Sequence, residues 1–277
     1  ILNRLGFNVS LAQETTMRFP LYLTLVLAVL AFITTLRLKD DDQLKKDKSG
    51  SIPAIEAFGL TLKAGTWILK TPFALSVILF GMLFDGIIRM VITLSSQYYR
   101  MIELPEASFG IIGSLFAFLG FVIPKIAKNI AEKLTSLHGL AVTTVLTIVG
   151  LSTMSFFWPY LGLVSALIAF SAMYFNGFFV SFYINKVAAS DQRATVLSFK
   201  GLSYNISYGV LGILYALLIK WKKQELTTGN IEDLAFMETF VWFPYTFTIA
   251  FICLFTIWYI WLRKPKKKQR HHKKPGK

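Results

Sequence analysis

A run of 52 residues, from Leu134 to Asn185, contains no aspartate, glutamate, lysine or arginine. The hydrocarbon core of a membrane is about 30 Å thick, and an α-helix of about 20 apolar residues crosses it. The run is therefore too long for one crossing and fits two. We predict its break at the segment FFWPY, because Pro159 and the aromatic residues around it are typical of a turn at the membrane interface.

Five further apolar runs meet the same length requirement. The chain is 55% hydrophobic and 16% charged, whereas soluble proteins are about 25% charged. The runs are apolar on all faces, and a helix satisfies its backbone groups within the segment. The sequence therefore predicts an all-α integral membrane protein with seven transmembrane helices. The five runs are Phe19–Leu36, Pro72–Tyr99, Glu106 to Lys125, Gly201–Ile219 and Thr239–Leu262.

The basic residues divide unevenly between the two sides of the predicted membrane. Of the 29 lysines and arginines, 22 fall on the side that contains residues 37–71 and the C-terminal tail. Cytoplasmic loops carry such an excess, so we predict a multi-pass protein of the cell membrane, with the lipid bilayer as partner and a cytoplasmic C-terminus. This distribution accounts for the net charge of +14, and we expect no nucleic-acid partner. The segment KWKK at 220–223 departs from the rule.

The longest loop predicts the domain organisation. Residues 1–38 form an extracytoplasmic segment and the first helix, and 39–71 form a central cytoplasmic loop. The second half of that loop, IEAFGLTLKAGTWILK, is either a helix on the membrane surface or a plain linker. Residues 72–262 form a six-helix transmembrane bundle, and 263–277 form a basic cytoplasmic tail. Because the chain starts without methionine, we expect a fragment of a longer protein.

An acid and a base interrupt the second apolar run. Asp85 lies at its centre and Arg89 follows one helical turn later, so the two side chains share a helix face. A charge at the membrane centre costs roughly 2.5–3.5 kcal/mol to insert, and this face should therefore look into the bundle or a water-filled cavity. The pair is either an ion pair that locks packing or a site for substrate or proton. A substrate that competes for Arg89 would change the proton affinity of Asp85.

Other polar residues in the predicted helices are candidates for substrate binding or coupling. Thr93 and Gln97 continue the face of Arg89 at helical spacing. Asn205 lies in a segment whose glycines are spaced for close helix packing, where it either lines a cavity or bonds to another helix. Asn176 precedes a glycine and could mark a break that lines a cavity.

No motif for catalysis or metal binding occurs in the sequence. There is no His-Glu-x-x-His, no phosphate-binding glycine-rich loop and no pair of intramembrane aspartates. The single cysteine, Cys253, excludes an internal disulfide framework. We therefore expect neither an enzyme nor a bound metal or cofactor.

The segment DQRATVLSFKGLSYNISYGVLGILYALL resembles the loop and helix between the tenth and eleventh spans of major facilitator superfamily transporters. The matching residues are Asp191, Arg193, Thr195 and Ser198. The layout is also similar to helix six, the central loop and the C-terminal six-helix bundle of that family. One departure is the loop after the predicted third span, GFVIPKIAKNIAEKL, which lacks the family's Asp-Arg pair.

The resemblance implies a function and further partners. Asp191 and Arg193 would belong to a gating loop, and the face of Asp85 and Arg89 would line a central substrate path. The missing N-terminal half of the same chain would complete that path. The function implied is secondary active transport of a small solute by alternating access, with proton coupling through the Asp85–Arg89 pair as a candidate mechanism. The alternative is a non-transporting membrane receptor or scaffold of the same fold.

Overall fold

The structure is a computed structural model that describes residues 18–36, 54–190 and 192–262. Within these ranges every regular element is helical. A 3₁₀ turn at Glu106–Ser108 precedes the helix that begins at Phe109, and a π-helical turn at Trp258–Leu262 follows the helix that ends at Ile257. The helices are α1 Arg18–Leu36, α2 Ala54–Lys70, α3 Pro72–Thr93, α4 Ser95–Met101, α5 Phe109–Lys133, α6 Ser136–Met154, α7 Gly162–Val187, α8 Arg193–Glu225, α9 Ile231–Phe240 and α10 Trp242–Ile257.

Six segments in the described part of the chain are long and apolar enough to cross a membrane, judged by length and composition. They correspond to α3, to α5 with its preceding turn, to α6, α7 and α8, and to α9 with α10 and part of the π turn. These are six of the seven predicted spans, and α1 contains a shorter apolar stretch, Tyr22–Leu36. The chain is thus compatible with an all-α, multi-pass membrane protein.

Several helices are longer than the apolar runs that predicted them. The predicted loop KIAKNIAEKL is helical as far as Lys133, and Pro124 lies inside that helix. The sixth predicted span began at Gly201, but α8 begins at Arg193 and continues for 33 residues. Hydropathy reports the part of a helix that is surrounded by lipid, whereas long basic side chains at helix ends extend their charges to the interface. Runs of apolar residues therefore underestimate helix length here.

Helix α3 is the most deeply buried of the candidate spans. It packs against α7, α8 and α10. Pro72 begins it after the extended residue Thr71, a position where the missing N–H of proline costs no helical hydrogen bond. Phenylalanines fill the contact with α10, and the rings of Phe84 and Phe247 lie with their centroids 5.2 Å apart. Most side chains of α3 are therefore surrounded by residues of neighbouring helices.

The predicted break between the fourth and fifth spans is confirmed. Helix α6 ends at Met154 and α7 begins at Gly162. Phe157 and Tyr160 take positive φ angles of 48° and 56° in the intervening turn. The Tyr160 N–H donates to the Ile102 carbonyl at 2.9 Å, so the turn is tied to the end of α4.

Two compact units divide the chain between residues 53 and 54, with α1 in the first and the other helices in the second. The second half of the predicted central loop is a helix, α2, and its Ala64 and Ile68 are buried against α3, α7 and α8. Leu62 and Leu69 are exposed. The buried face of this helix thus lies on the bundle, and its place at a membrane surface stays a prediction, as do the domain boundaries.

Two of the three lysines that depart from the charge rule are paired with acids. Lys222 contacts Glu225 at 2.9 Å and Glu238 at 3.1 Å, and Lys223 contacts Glu232 at 2.8 Å. The turn from α8 to α9 brings the two helices together, with Gly229 at φ 84° supplying the left-handed residue. The charges of Lys222 and Lys223 are therefore balanced by acids of α8 and α9.

Gly150 fixes the distance between α6 and α7. A Cβ at this position would lie 2.5 Å from the backbone nitrogen of Ala169. A side chain could change its rotamer to avoid this contact, but the backbone of a helix could not. We expect Gly150→Ala to lower the free energy of unfolding by about 1–3 kcal/mol, measured as a fall in the thermal unfolding midpoint in detergent. Gly177→Ala on α7 is the control, since no described atom of a neighbouring element lies within 4 Å of its Cβ position. Equal stability of the two variants would contradict the prediction.

Candidate functional site

Asp85 and Arg89 form an ion pair on α3. Asp85 Oδ2 and Arg89 Nη2 are 2.6 Å apart, and the side chains are 7% and 30% exposed. The predicted sharing of one helix face is confirmed by this contact. The carboxylate lies inside the protein, whereas the guanidinium reaches the surface of the described bundle.

Arg89 connects α3 to α8. Its Nη1 donates to Asn205 Oδ1 at 2.9 Å, and its guanidinium lies 5.5 Å from the centroid of the Tyr208 ring. The Tyr208 hydroxyl shares a hydrogen bond of 3.0 Å with the Thr93 hydroxyl. The structure thus brings together four of the residues predicted from sequence, Asp85, Arg89, Thr93 and Asn205.

Glycines on α3 allow α8 to approach. A Cβ on Gly81 would overlap the Tyr204 hydroxyl, and one on Gly86 would lie 2.7 Å from Leu211 Cδ1 and 2.9 Å from Ser207 Oγ. The sequence placed close packing at the glycines of α8, but a Cβ on any of those three would meet no described atom within 4 Å. They are Gly201, Gly209 and Gly212.

A lysine that the sequence assigned to a loop also faces this contact. Lys200 lies in the second turn of α8, donates to Ser181 Oγ at 3.3 Å and lies 5.6 Å from the centroid of the Tyr204 ring. The signal that could have found it is the spacing of Lys200, Tyr204 and Tyr208, which repeats every four residues and marks one helix face. Hydropathy obscured it, since the lysine precedes the apolar run.

We call this line of side chains between α3 and α8 the polar seam. It has a basic residue at one end, the ion pair in the middle and a tyrosine–threonine pair at the other end. Thr93 and Asn205 are exposed, and Arg89 and Lys200 are partly exposed. The seam is therefore accessible from one side of the described bundle. It consists of Lys200, Tyr204, Asp85, Arg89, Asn205, Thr93 and Tyr208.

Asn176 is buried on α7 beside the seam. Its Nδ2 donates to the Gly81 carbonyl at 3.2 Å. The break predicted here is wrong, because α7 is continuous from Gly162 to Val187. The amide instead satisfies a buried carbonyl of the neighbouring helix. It also lines a mainly apolar cavity of about 140 Å³ that includes Tyr183, as predicted for a cavity-lining residue.

Gln97 is not part of the seam. Its Nε2 donates to Asp233 Oδ1 at 2.8 Å, and Asn230 donates to the other oxygen of that carboxylate at 2.6 Å. Gln97 therefore ties α4 to the first turn of α9, where an acidic residue is favourable. Its predicted role in substrate binding stays a prediction without a contact to the other candidates.

The gating-loop residues are described in part. Arg193 begins α8, is exposed, and donates from Nε to the Ala188 carbonyl at 3.3 Å. It thus bonds to the residue that follows the end of α7. Asp191 lies outside the described residues. Within the described residues, no group of three or more metal-binding side chains lies together.

Comparisons with known proteins give no match. No family model, curated protein or solved structure is similar to this chain at a significant level. The resemblance to the major facilitator superfamily therefore stays a prediction from the sequence. The contacts of the polar seam carry what can be inferred about function.

The ion pair predicts non-additive stability effects. Asp85→Asn or Arg89→Gln alone leaves the other member of the pair without its partner in a largely apolar bundle, and we expect each to lower the free energy of unfolding by about 1–3 kcal/mol. The double variant removes both charges and should be more stable than either single variant. The measurement is thermal unfolding of the purified protein in detergent.

The matched control is the pair Lys128–Glu132, which has the same spacing but is exposed. Its removal should change stability by less than about 1 kcal/mol. Additive losses at Asp85 and Arg89 would show that the two charges are stabilised independently of each other.

Proposed function

We propose that this chain is the C-terminal part of a secondary active transporter of the major facilitator type. Helix α1 would be a seventh crossing, and α3–α10 would form the C-terminal six-helix bundle in the cell membrane. The observation that carries the proposal is the Asp85–Arg89–Asn205 network. It joins two helices of an apolar bundle and is open on one side. Ionisable residues inside a membrane bundle mark substrate or ion pathways by default.

The seam has the components of a coupling site. Arg89 is shared between the Asp85 carboxylate and the Asn205 amide. A solute that took the place of Asp85 on Arg89 would leave that carboxylate without its counter-ion in a low-dielectric surrounding. Protonation then becomes the lowest-cost way to accommodate it. Substrate and proton would thus be linked through one guanidinium, and the two bundles would rock about this midplane site.

The function is tested by transport in proteoliposomes that contain the full-length protein. A library of solutes is screened by exchange across the membrane and by accumulation driven by a pH gradient. We expect Asp85→Asn to abolish proton-driven accumulation while retaining exchange, because the carboxylate carries the proton. Arg89→Gln should abolish both, because the binding group is lost.

Glu132→Gln is the control for this experiment. It neutralises a carboxylate that also has a basic partner at helical spacing, but on the exposed face of α5. Transport by this variant should equal that of the unmodified protein. If no solute in the library is exchanged by the unmodified protein, the receptor or scaffold function replaces the transporter.

The proposed orientation makes a separate prediction. In a Cys253→Ala background, Thr228→Cys in the turn between α8 and α9 should react with a membrane-impermeant maleimide applied to intact cells. Thr135→Cys, between α5 and α6, should react after the membrane is opened. Both positions are exposed and lie at opposite ends of spans. The reverse pattern would place the C-terminus outside.

A further inference from the structure

We propose that the polar seam binds a small organic anion, with Lys200 as a binding residue beside Arg89. This inference rests on the proposed transport function and names the class of its substrate. From the residue types alone, a cationic solute could bind at Asp85 and an anionic solute at Arg89. The contacts of the two basic residues distinguish them.

The described part of the seam carries two positive charges and one negative charge. Arg89 is paired with Asp85. Lys200 donates to the neutral Ser181 hydroxyl and lies over the Tyr204 ring. The seam thus has one carboxylate for two basic side chains, a formal excess of one positive charge. An uncompensated charge in an apolar bundle is costly, and a bound anion would balance it.

Six other described carboxylates are engaged elsewhere. They lie near the ends of helices, and each of the six has a basic or amide partner. They are Glu106 with Arg100, Glu132 with Lys128, Glu225 and Glu238 with Lys222, Glu232 with Lys223, and Asp233 with Gln97. None of these contacts includes a seam residue.

The seam also offers donors for an anion. A guanidinium has five N–H donors in a planar fork, and Asp85 and Asn205 contact its two terminal nitrogens. The Tyr204 hydroxyl is buried and makes no hydrogen bond of standard geometry, although the Asn176 side chain lies beside it. Arginine and lysine together bind carboxylates through charge-assisted hydrogen bonds, which are stronger than neutral ones.

A cationic solute finds its binding groups occupied. The Asp85 carboxylate is 7% exposed and bound to Arg89. Aromatic rings bind cations on their faces, but Arg89 already lies over the Tyr208 ring and Lys200 over the Tyr204 ring. An incoming cation would have to displace a residue of its own charge at each of these sites.

The test measures binding to the full-length protein in detergent with probes matched in size. The panel pairs carboxylates with amines of similar carbon skeleton, such as benzoate with benzylamine and butyrate with butylamine. Benzyl alcohol and butanol are the neutral members. Thermal stabilisation identifies the best binder, and its Kd is then determined by calorimetry. We expect carboxylates alone to stabilise the protein.

Variants at Lys200 test its role as a binding residue. Lys200→Gln should weaken binding of the best carboxylate about 10- to 100-fold, the value of one hydrogen bond to a charged group. Lys200→Arg keeps the charge and should restore most of the affinity. Lys125→Gln, which removes an exposed lysine of α5, should leave the Kd unchanged.

The outcomes separate this inference from the proposed function. Stabilisation by the amines, by the neutral members or by no member of the panel would overturn the anion class. An unchanged Kd in Lys200→Gln would overturn the role of Lys200 and leave the anion class to Arg89. In either case, solute exchange in proteoliposomes would still support a transporter, whereas its absence would remove the proposed function itself.

Discussion

A charged pair inside an apolar bundle constrains every helix around it. Asp85 and Arg89 cannot face lipid at low cost, so α3 must lie where protein surrounds most of it. The glycines at 81 and 86 then allow α8 to approach within reach of Arg89. The amide of Asn205 completes the coordination of the guanidinium. The position of α3 and its contact with α8 therefore both follow from the need to solvate two charges without water.

The helical class and six of the seven predicted apolar segments agree with the structure, because lipid imposes a simple rule on a chain of this composition. Backbone groups in a membrane must be satisfied within the segment, and this makes apolar length a reliable guide. The turn around Pro159 was predicted for the same reason. The ends of the helices could not be predicted from hydropathy, because helices continue past their apolar runs through charged residues such as Lys133 and Arg193. Hydropathy falls at these positions because the apolar residues end, although the helix continues.

The candidate site was predicted where the signal is local and missed where it depends on two helices. The spacing of Asp85 and Arg89 indicates a shared face directly. Nothing in the sequence states which helix receives that face, so Lys200 was counted with a loop. The same limit explains Gln97, which has the helical spacing of the seam but bonds to Asp233 in a different turn. The periodicity of a sequence predicts which residues share a helix face, whereas tertiary packing determines which residues that face contacts.

The length of α8 has a mechanical consequence. At 1.5 Å per residue its 33 residues extend about 50 Å, against about 30 Å for the hydrocarbon core. A tilt of about 10° around its midpoint would move each end about 4 Å in opposite directions. One end bonds to the end of α7, and the other carries the lysines paired with α9. Because the midpoint of α8 lies near the seam, a rotation of this helix about the seam would move both of its ends and so change the contacts with α7 and α9 together.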